Sequence, residues 1–166
     1  MLQPKTIRTD DVGKAELFGE IEGQLAGLLA GEDDPIANAA NLSALLFHSM
    51  PQLNWAGFYF LQGSELVLGP FQGKPACVRI PVGKGVCGTA VERVQSLLVE
   101  DVHAFPGHIA CDAASRSELV VPLIRNGEVF GVIDLDSPTS ARFDSEDQAA
   151  LERLAAIYVS ASRALV

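Results

Sequence analysis

The spacing of hydrophobic residues predicts helices at both ends of the chain. Leucine, isoleucine and phenylalanine recur at helical spacing from residue 11 to about 31, where Gly31 is a stop signal. A second helix is predicted from 34 to about 50, because an aspartate that can cap it precedes Pro35 at the first helical position. A last amphipathic helix is predicted over 144–165, with Asp144 as its cap.

From residue 54 the hydrophobic period changes from helical spacing to two, which is typical of strands. In the first strand one face carries Trp55, Gly57, Tyr59 and Leu61, and the other carries Ala56, Phe58 and Phe60. Further strands are predicted over 65–71, 77–80, 96–100, 119–124 and 128–136, with a short helix near Cys87. Turns at 62–64 and at Asn126-Gly127 join neighbouring strands into hairpins.

No alternation of strand, helix and strand appears along the chain, so a parallel sheet is not expected. The sequence therefore predicts an α+β fold, with a mostly antiparallel six-stranded sheet flanked by helices. We expect one domain over residues 1–166. The N- and C-terminal helices are expected to pack side by side on one face of the sheet, which leaves the other face for loops and a site.

Composition and charge narrow the class of protein. Hydrophobic residues make up 48% of the 166 residues and charged residues 20%, which excludes a disordered chain. The net charge of −9 argues against nucleic acid or an anionic membrane surface as a partner. No signal peptide or membrane-spanning apolar run is found, so a cytoplasmic protein is expected. In that compartment cysteines are more often catalytic, metal-binding or buried than disulfide-bonded.

The three cysteines are the first candidates for chemistry. Cys111 lies among small and polar residues in the long loop 101–117, where Arg116 or a histidine could lower the pKa of its thiol. Cys87, at a predicted helix start, and Cys77, beside a glycine and proline break, could each convert an oxidised Cys111 into a disulfide. Taken singly, each cysteine is more often a small hydrophobic residue of the core.

A zinc site would use the three cysteines with His103 or His108. The cysteines are 10 and 24 residues apart (77 to 87 and 87 to 111), and no pair has the two-to-four-residue spacing typical of zinc ligands. No metal and no cofactor are therefore expected.

Two carboxylates end the last strand. Asp134 and Asp136 share one face, where they could bind an ammonium group or, if one stays neutral, donate a proton. A strict two-residue hairpin turns Glu118 away from them, whereas a one-residue bulge, for which Pro122 is a candidate position, turns it towards them. Trp55 and Tyr59 could form an aromatic wall suited to a methyl-sulfur group.

Four segments together resemble the GAF-domain free methionine-(R)-sulfoxide reductase family. They are NWAGFYFL, LGPFQGKPACVRIPVGKGVCGTA, EDVHAFPGHIACDAASRSELVVPL and GVIDLDSPTSARFDSED. The resemblance covers nearly the whole chain. It implies a GAF fold, commonly as a homodimer, that reduces free L-methionine (R)-S-oxide through a sulfenic acid and an intramolecular disulfide, with thioredoxin as reductant.

The same resemblance implies a role for each candidate residue. Cys111 matches the attacking cysteine, Cys77 the main resolving cysteine, and Cys87 a cysteine that can also pair with the attacking one. Glu118, Asp134 and Asp136 match the acidic residues around the substrate, and Trp55 and Tyr59 match the aromatic ones. Two alternatives remain open: a non-catalytic GAF sensor that binds a small ligand, since fold does not fix function, and a general thiol peroxidase.

Overall fold

The computed structural model describes residues 13–109 and 111–166, and within these ranges it has four helices and six strands. The helices are α1 (Lys14–Leu29), α2 (Pro35–Ser49), α3 (Gly85–Arg93) and α4 (Ser145–Ala161). The strands are β1 (Trp55–Gln62), β2 (Glu65–Gly73), β3 (Arg79–Pro81), β4 (Leu97–Val99), β5 (Ser117–Arg125) and β6 (Glu128–Ser137). All the predicted helices and strands are found. The first two residues of the first predicted helix lie outside the described ranges.

The strands form one antiparallel sheet in the order β3-β2-β1-β6-β5-β4. This confirms the predicted α+β class with a six-stranded antiparallel sheet. The predicted third strand is wrong at its start, because β3 begins at Arg79. Cys77 therefore lies in the segment before the strand, where its backbone is free to bend towards another loop.

Three helices cover one face of the sheet. α2 packs on β1 and β2, α4 packs on β5, and α1 packs against both helices, as expected for the two terminal helices. The strands contribute their apolar positions to this core, among them Phe58, Leu119 and Leu135. Asp34 and Asp144 accept hydrogen bonds from the first backbone N–H groups of α2 and α4, which confirms both predicted caps. We call this side of the sheet the helical face.

The opposite face carries α3 and the loop over residues 101–116, including one turn of 3-10 helix at Val102–Ala104. Its buried cluster is smaller and takes the alternate residues of the same strands, including Trp55, Tyr59 and Val120. The predicted alternation of β1 is thus confirmed. We call this side the site face. Among the described residues, every helix is too short or too polar to cross a membrane.

A bulge in the β5–β6 hairpin sets which residues reach the site face. Ile124 pairs with Val129, but Leu123 pairs with Gly131, so Phe130 is an extra residue of β6. Beyond the bulge Glu118 lies opposite Asp136, and residues directly opposite in a sheet point to the same face. The predicted one-residue bulge exists, but its predicted position at Pro122 is wrong.

Candidate active site

A cavity of about 50 Å³ opens on the site face, between the sheet, α3 and the loop over residues 101–116. Seven of the eight predicted site residues line it: Trp55, Tyr59, Cys87, Cys111, Glu118, Asp134 and Asp136. The eighth, Cys77, follows Ala76 of the lining and is bonded to Cys111. The lining also includes residues 74–76, His108, Ile109, Asp112 and Ser115, so both segments that the disulfide joins border the cavity.

A disulfide joins Cys77 to Cys111, with 5.4 Å between their Cα atoms. The two residues are 34 positions apart in the chain, and neither belongs to a helix or strand. The disulfide crosses from the segment before β3 to the loop before β5. Both cysteine residues are half-buried, unlike Cys87, which is buried.

Cys87 lies on the floor of the cavity as a buried free thiol, and its Sγ is 3.8 Å from Oε1 of Glu118. Burial raises the pKa of this thiol well above its ordinary value, and the carboxyls of Asp134, Glu118 and Asp136 raise it further. Although Cys87 lies in the first turn of α3, where a helix dipole favours a thiolate, burial among acids favours the protonated thiol.

The three acidic residues meet at the wall formed by β5 and β6. Burial raises the pKa of Asp134 to about 6. Burial, and after it the charges of Asp134 and Asp136, raise the pKa of Glu118 well above its ordinary value. Burial and Asp134 raise the pKa of Asp136 in the same direction, with a contribution from Asp112. Carboxyl groups crowded together away from water therefore hold protons at pH values where exposed acids have lost them.

The aromatic wall also holds the segment that carries Cys77. The rings of Trp55 and Tyr59 stack with their centroids 5.8 Å apart. The Trp55 indole N–H donates to the carbonyl of Lys74 at 3.2 Å, and the Tyr59 hydroxyl donates to the carbonyl of Cys77 at 2.9 Å. The sequence predicted only the wall, because nothing in it shows where a tyrosine hydroxyl finds a carbonyl far along the chain.

Asn54 is a residue of the site that the sequence did not reveal. Its side-chain amide donates to Oδ2 of Asp112 and to Oγ of Ser115, both at 3.1 Å, and its backbone N–H donates to the carbonyl of Asp136. The loop that carries Cys111 is thereby tied to the sheet beside the acidic wall. An asparagine before a strand is common at turns, so no local signal marks this role.

The predicted alternative zinc ligands do not form one site. Cys77 and Cys111 are bonded to each other, and the rings of His103 and His108 stack edge to face, 6.3 Å apart, with only His108 in the lining of the cavity. Burial and the neighbouring His103 lower the pKa of His108. A different set does converge: Cys87, Glu118 and Asp134 each place one donor atom within 4.8 Å of the other two.

Comparison with known proteins finds similarity to GAF domains and to free methionine-R-sulfoxide reductases. The model of the GAF domain matches residues 38–161. The free methionine-R-sulfoxide reductase of Escherichia coli is 53% identical over 145 residues, which span 87% of this chain and 88% of that protein. The structure of the free methionine-R-sulfoxide reductase of Neisseria meningitidis in complex with its substrate is 43% identical, with a TM-score of 0.89 over 93% of each chain. A Burkholderia vietnamiensis protein proposed to be a GAF sensor is 59% identical, with a TM-score of 0.88 over 91% of this chain and 96% of that one.

Proposed function

The chain belongs to the GAF-domain family and, within it, to the free methionine-R-sulfoxide reductases, and on that premise we propose that it reduces free L-methionine (R)-S-oxide to L-methionine. The observation that carries the proposal is the disulfide between Cys77 and Cys111 at the border of a cavity with an acidic wall. A sensor needs a pocket but has no need of a bonded cysteine pair at its border.

The cavity's two walls match the two ends of the substrate. The methyl-sulfur end packs on the rings of Trp55 and Tyr59, because sulfur interacts favourably with aromatic rings. The ammonium group is held by carboxylates of the acidic wall. A methionine sulfoxide inside a protein has an uncharged amide nitrogen instead, so it gains nothing from this wall and is not selected.

The reaction begins with the thiolate of Cys111 attacking the sulfoxide sulfur. The sulfoxide oxygen takes a proton from a neutral carboxyl of the wall, and Glu118 and Asp136, whose pKa values are raised well above the ordinary range, are the candidates for that donor near pH 7. Methionine leaves with its sulfur reduced by two electrons. Cys111 is oxidised by two electrons to a sulfenic acid, which carries the oxygen.

The thiol of Cys77 then attacks the sulfenic sulfur of Cys111 and releases water, which forms the Cys77–Cys111 disulfide. Cys87 is buried beneath the cavity and is the secondary partner for Cys111. Thioredoxin then reduces the disulfide to two thiols by thiol–disulfide exchange. The reductase itself assembles as a homodimer.

A coupled assay tests the proposal. Purified protein, thioredoxin, thioredoxin reductase and NADPH should oxidise NADPH when free methionine (R)-sulfoxide is added, and Cys111→Ser should abolish this. The N-acetylated (R)-sulfoxide, which lacks the ammonium charge, and the free (S)-sulfoxide are the matched substrates and should be turned over poorly. Absence of turnover by the folded wild-type protein would contradict the proposal, and preferred turnover of hydrogen peroxide would indicate a thiol peroxidase.

The reductant and the assembly are tested separately. Replacing thioredoxin by glutathione and glutathione reductase should lower the rate strongly if thioredoxin is the electron donor. Sedimentation equilibrium should give twice the chain mass of 17.6 kDa if the protein is a homodimer.

A further inference from the structure

We propose that Cys87, Glu118 and Asp134 form a binding site for a zinc-like divalent cation, and that the ion excludes the substrate from the cavity. The binding site is inferred from geometry alone. The competition with substrate rests on the proposed function of the cavity.

The three donor atoms already stand close to the positions that zinc requires. All lie within 4.8 Å of one another, and Sγ of Cys87 is 3.8 Å from Oε1 of Glu118. With Zn–S near 2.3 Å and Zn–O near 2.1 Å, tetrahedral ligands are separated by roughly 3.4–3.6 Å. Side-chain rotation brings the three atoms onto one ion, and binding releases the protons that the Cys87 thiol and the carboxyls hold in the metal-free protein.

An unpartnered oxygen points to a missing ligand. Asp134 is 5% exposed, and its Oδ1 has no partner among the described residues other than the acidic groups of the same cluster, the Glu118 carboxyl and the Cys87 thiol. Nearly all buried polar atoms in proteins have a partner, because a buried oxygen without one loses the hydrogen bonds that water gave it. A cation held together with Cys87 and Glu118 satisfies this oxygen.

The ligands come from three different elements, α3, β5 and β6, and all three line the cavity. The ion is thus held by a firm scaffold and can enter from solvent. The cavity leaves a fourth position open for water or a small molecule, as three-ligand zinc sites commonly do. A sulfur ligand beside two carboxylates favours zinc over magnesium or calcium, which prefer oxygen ligands alone.

Cation binding changes what the acidic wall can do. Glu118 and Asp134 are two of the three carboxyls that we assign to the ammonium group and to proton donation. Coordinated to an ion, their oxygens are no longer free to hold the ammonium group, and the ion itself repels that group. Zinc and methionine sulfoxide are therefore expected to compete.

The oxidised protein provides a clean test of binding. The chain has three cysteines, and with Cys77 and Cys111 bonded only Cys87 offers a thiol. Titration with Co²⁺ as a zinc analogue should give one equivalent of bound ion with a sulfur-to-cobalt charge-transfer band. Cys87→Ser should remove the band and lower Zn²⁺ affinity, measured against a chromophoric chelator, by at least about 10-fold, since loss of even an indirect ligand partner costs that much.

The histidine pair supplies the matched control. The double variant His103→Ala/His108→Ala should keep the band and the affinity, and circular dichroism and thermal melting verify that each variant folds. Asp134→Asn, which keeps the shape of the side chain, should weaken Zn²⁺ binding as Cys87→Ser does. Binding that survives Cys87→Ser but is lost in the histidine variant would overturn the proposal, as would the absence of binding to the wild-type protein.

Competition is tested without turnover. In the variant Cys77→Ser/Cys111→Ser no redox step can occur, and calorimetry measures binding of free methionine (R)-sulfoxide. Its apparent Kd should rise in proportion to Zn²⁺ once the ion exceeds its own Kd, and an unchanged Kd would refute the competition. If the sulfoxide does not bind even without zinc, the proposed function fails, while the cobalt band still decides whether the cation site exists.

Discussion

The two faces of the sheet are built from alternate residues of the same strands, and both bury apolar side chains, yet only the site face adds a cluster of three carboxyls and a thiol. On β6, Leu135 packs under the helices while its neighbours Asp134 and Asp136 line the cavity. On β5, Leu119 packs under the helices while Glu118 joins the acidic wall. Two neighbouring residues can thus belong to different environments, one wholly apolar and one in which acids are buried beside apolar side chains.

The difference shows where stability and activity come from. The helical face removes apolar surface from water, which stabilises the fold. The site face buries carboxyls and a thiol, which opposes folding unless they are protonated or bound to a ligand. Substitutions on the helical face should therefore lower mainly the stability of the protein, and substitutions on the site face should lower mainly its activity.

The largest effects are expected when the neighbours Asp134 and Leu135 are substituted separately. Asp134→Asn should lower kcat/KM by about 10²–10⁴-fold, the usual range for loss of a general acid or of its charge. Its free energy of unfolding should stay equal or rise, because a buried ionisable group is removed. Leu135→Ala should keep most of the activity of the folded protein and lose about 2–5 kcal/mol of stability.

Urea denaturation and the coupled assay measure both effects in parallel. The separation of the two faces would fail if Asp134→Asn unfolded the protein as readily as Leu135→Ala. It would also fail if Leu135→Ala left stability unchanged, since Leu135 is fully buried.

The second test measures how the free energy of unfolding depends on pH, because burial of the acids changes their pKa values on folding. The pKa of Asp134 is raised from 3.8 to about 6 on folding, so the folded state binds its proton more tightly than the unfolded chain does. The stability that this proton gives is complete below pH 3.8 and is lost as pH rises to about 6. Glu118 and Asp136 also have raised pKa values, so they extend the loss in the same direction to higher pH.

Urea midpoints should therefore fall for the wild type as pH rises through this window, and they should fall less for Asp134→Asn. The ion pair of Asp144 with Lys14 on the helical face has the opposite pH dependence. The pKa of Asp144 is lowered to about 2, so the stability from this pair is lost only as pH falls below 3.8. Identical pH dependence in the wild type and Asp134→Asn would show that Asp134 is not the group responsible.

A third, smaller effect is expected at the Tyr59 hydroxyl, which holds the carbonyl of Cys77 at 2.9 Å. Tyr59→Phe keeps the ring of the aromatic wall and removes only this hydrogen bond, worth about 0.5–1.5 kcal/mol. Formation of the disulfide after one turnover should slow by up to roughly 10-fold. The sulfenic acid on Cys111 should accumulate and react with a dimedone probe in rapid mixing, while KM stays within about twofold because the ring is unchanged.

The Trp55 indole gives the comparison for that test, since it binds the carbonyl of Lys74 in the same segment through its ring N–H. Trp55→Phe removes that hydrogen bond and also replaces the indole by a smaller ring, which reduces the aromatic wall, so KM should rise as well. Equal effects of Tyr59→Phe and Trp55→Phe on KM would show that the hydroxyl contacts the substrate and does not act through Cys77.

The fold was largely predictable because its signals are local. The period of two in β1, the Asn126-Gly127 turn and the caps Asp34 and Asp144 each depend on a few neighbouring residues, and all are found in the structure. The bulge at Phe130 was not predictable in position, because a bulge has no fixed residue type outside glycine. The sequence therefore leaves open whether the Glu118 side chain points to the same face of the sheet as Asp136. The observed pairing of the two residues shows that it does.

The sequence predicted which residues belong to the site but not how they contact one another. Cysteine, carboxylate and aromatic residues stand out by type, and the family resemblance assigned each a role. The contact between Cys77 and Cys111, the hydrogen bond from Tyr59 and the role of Asn54 all join distant parts of the chain. Such contacts depend on how loops fold over the sheet, and residue spacing carries no information about them.

The smallest effect is expected from the charges of the helical face. Lys14 bonds to Asp144 and Asp147 at 2.6 and 2.7 Å, but its side chain is 34% exposed, and Asp147 keeps a second partner in Arg142. Lys14→Ala should therefore cost no more than about 1 kcal/mol and leave kcat/KM unchanged. The loss should shrink in concentrated salt, which screens exposed pairs.

Arg153→Ala, which breaks the exposed pair with Glu22, is the matched control and should cost still less, because no buried carboxylate remains behind. A loss well above 2 kcal/mol for Lys14→Ala would mean that Arg142 does not neutralise the buried Asp147. The helical face would then also contain a buried acid whose partner determines stability, and the contrast between the two faces would lie in the partner of each acid and not in the presence of acids.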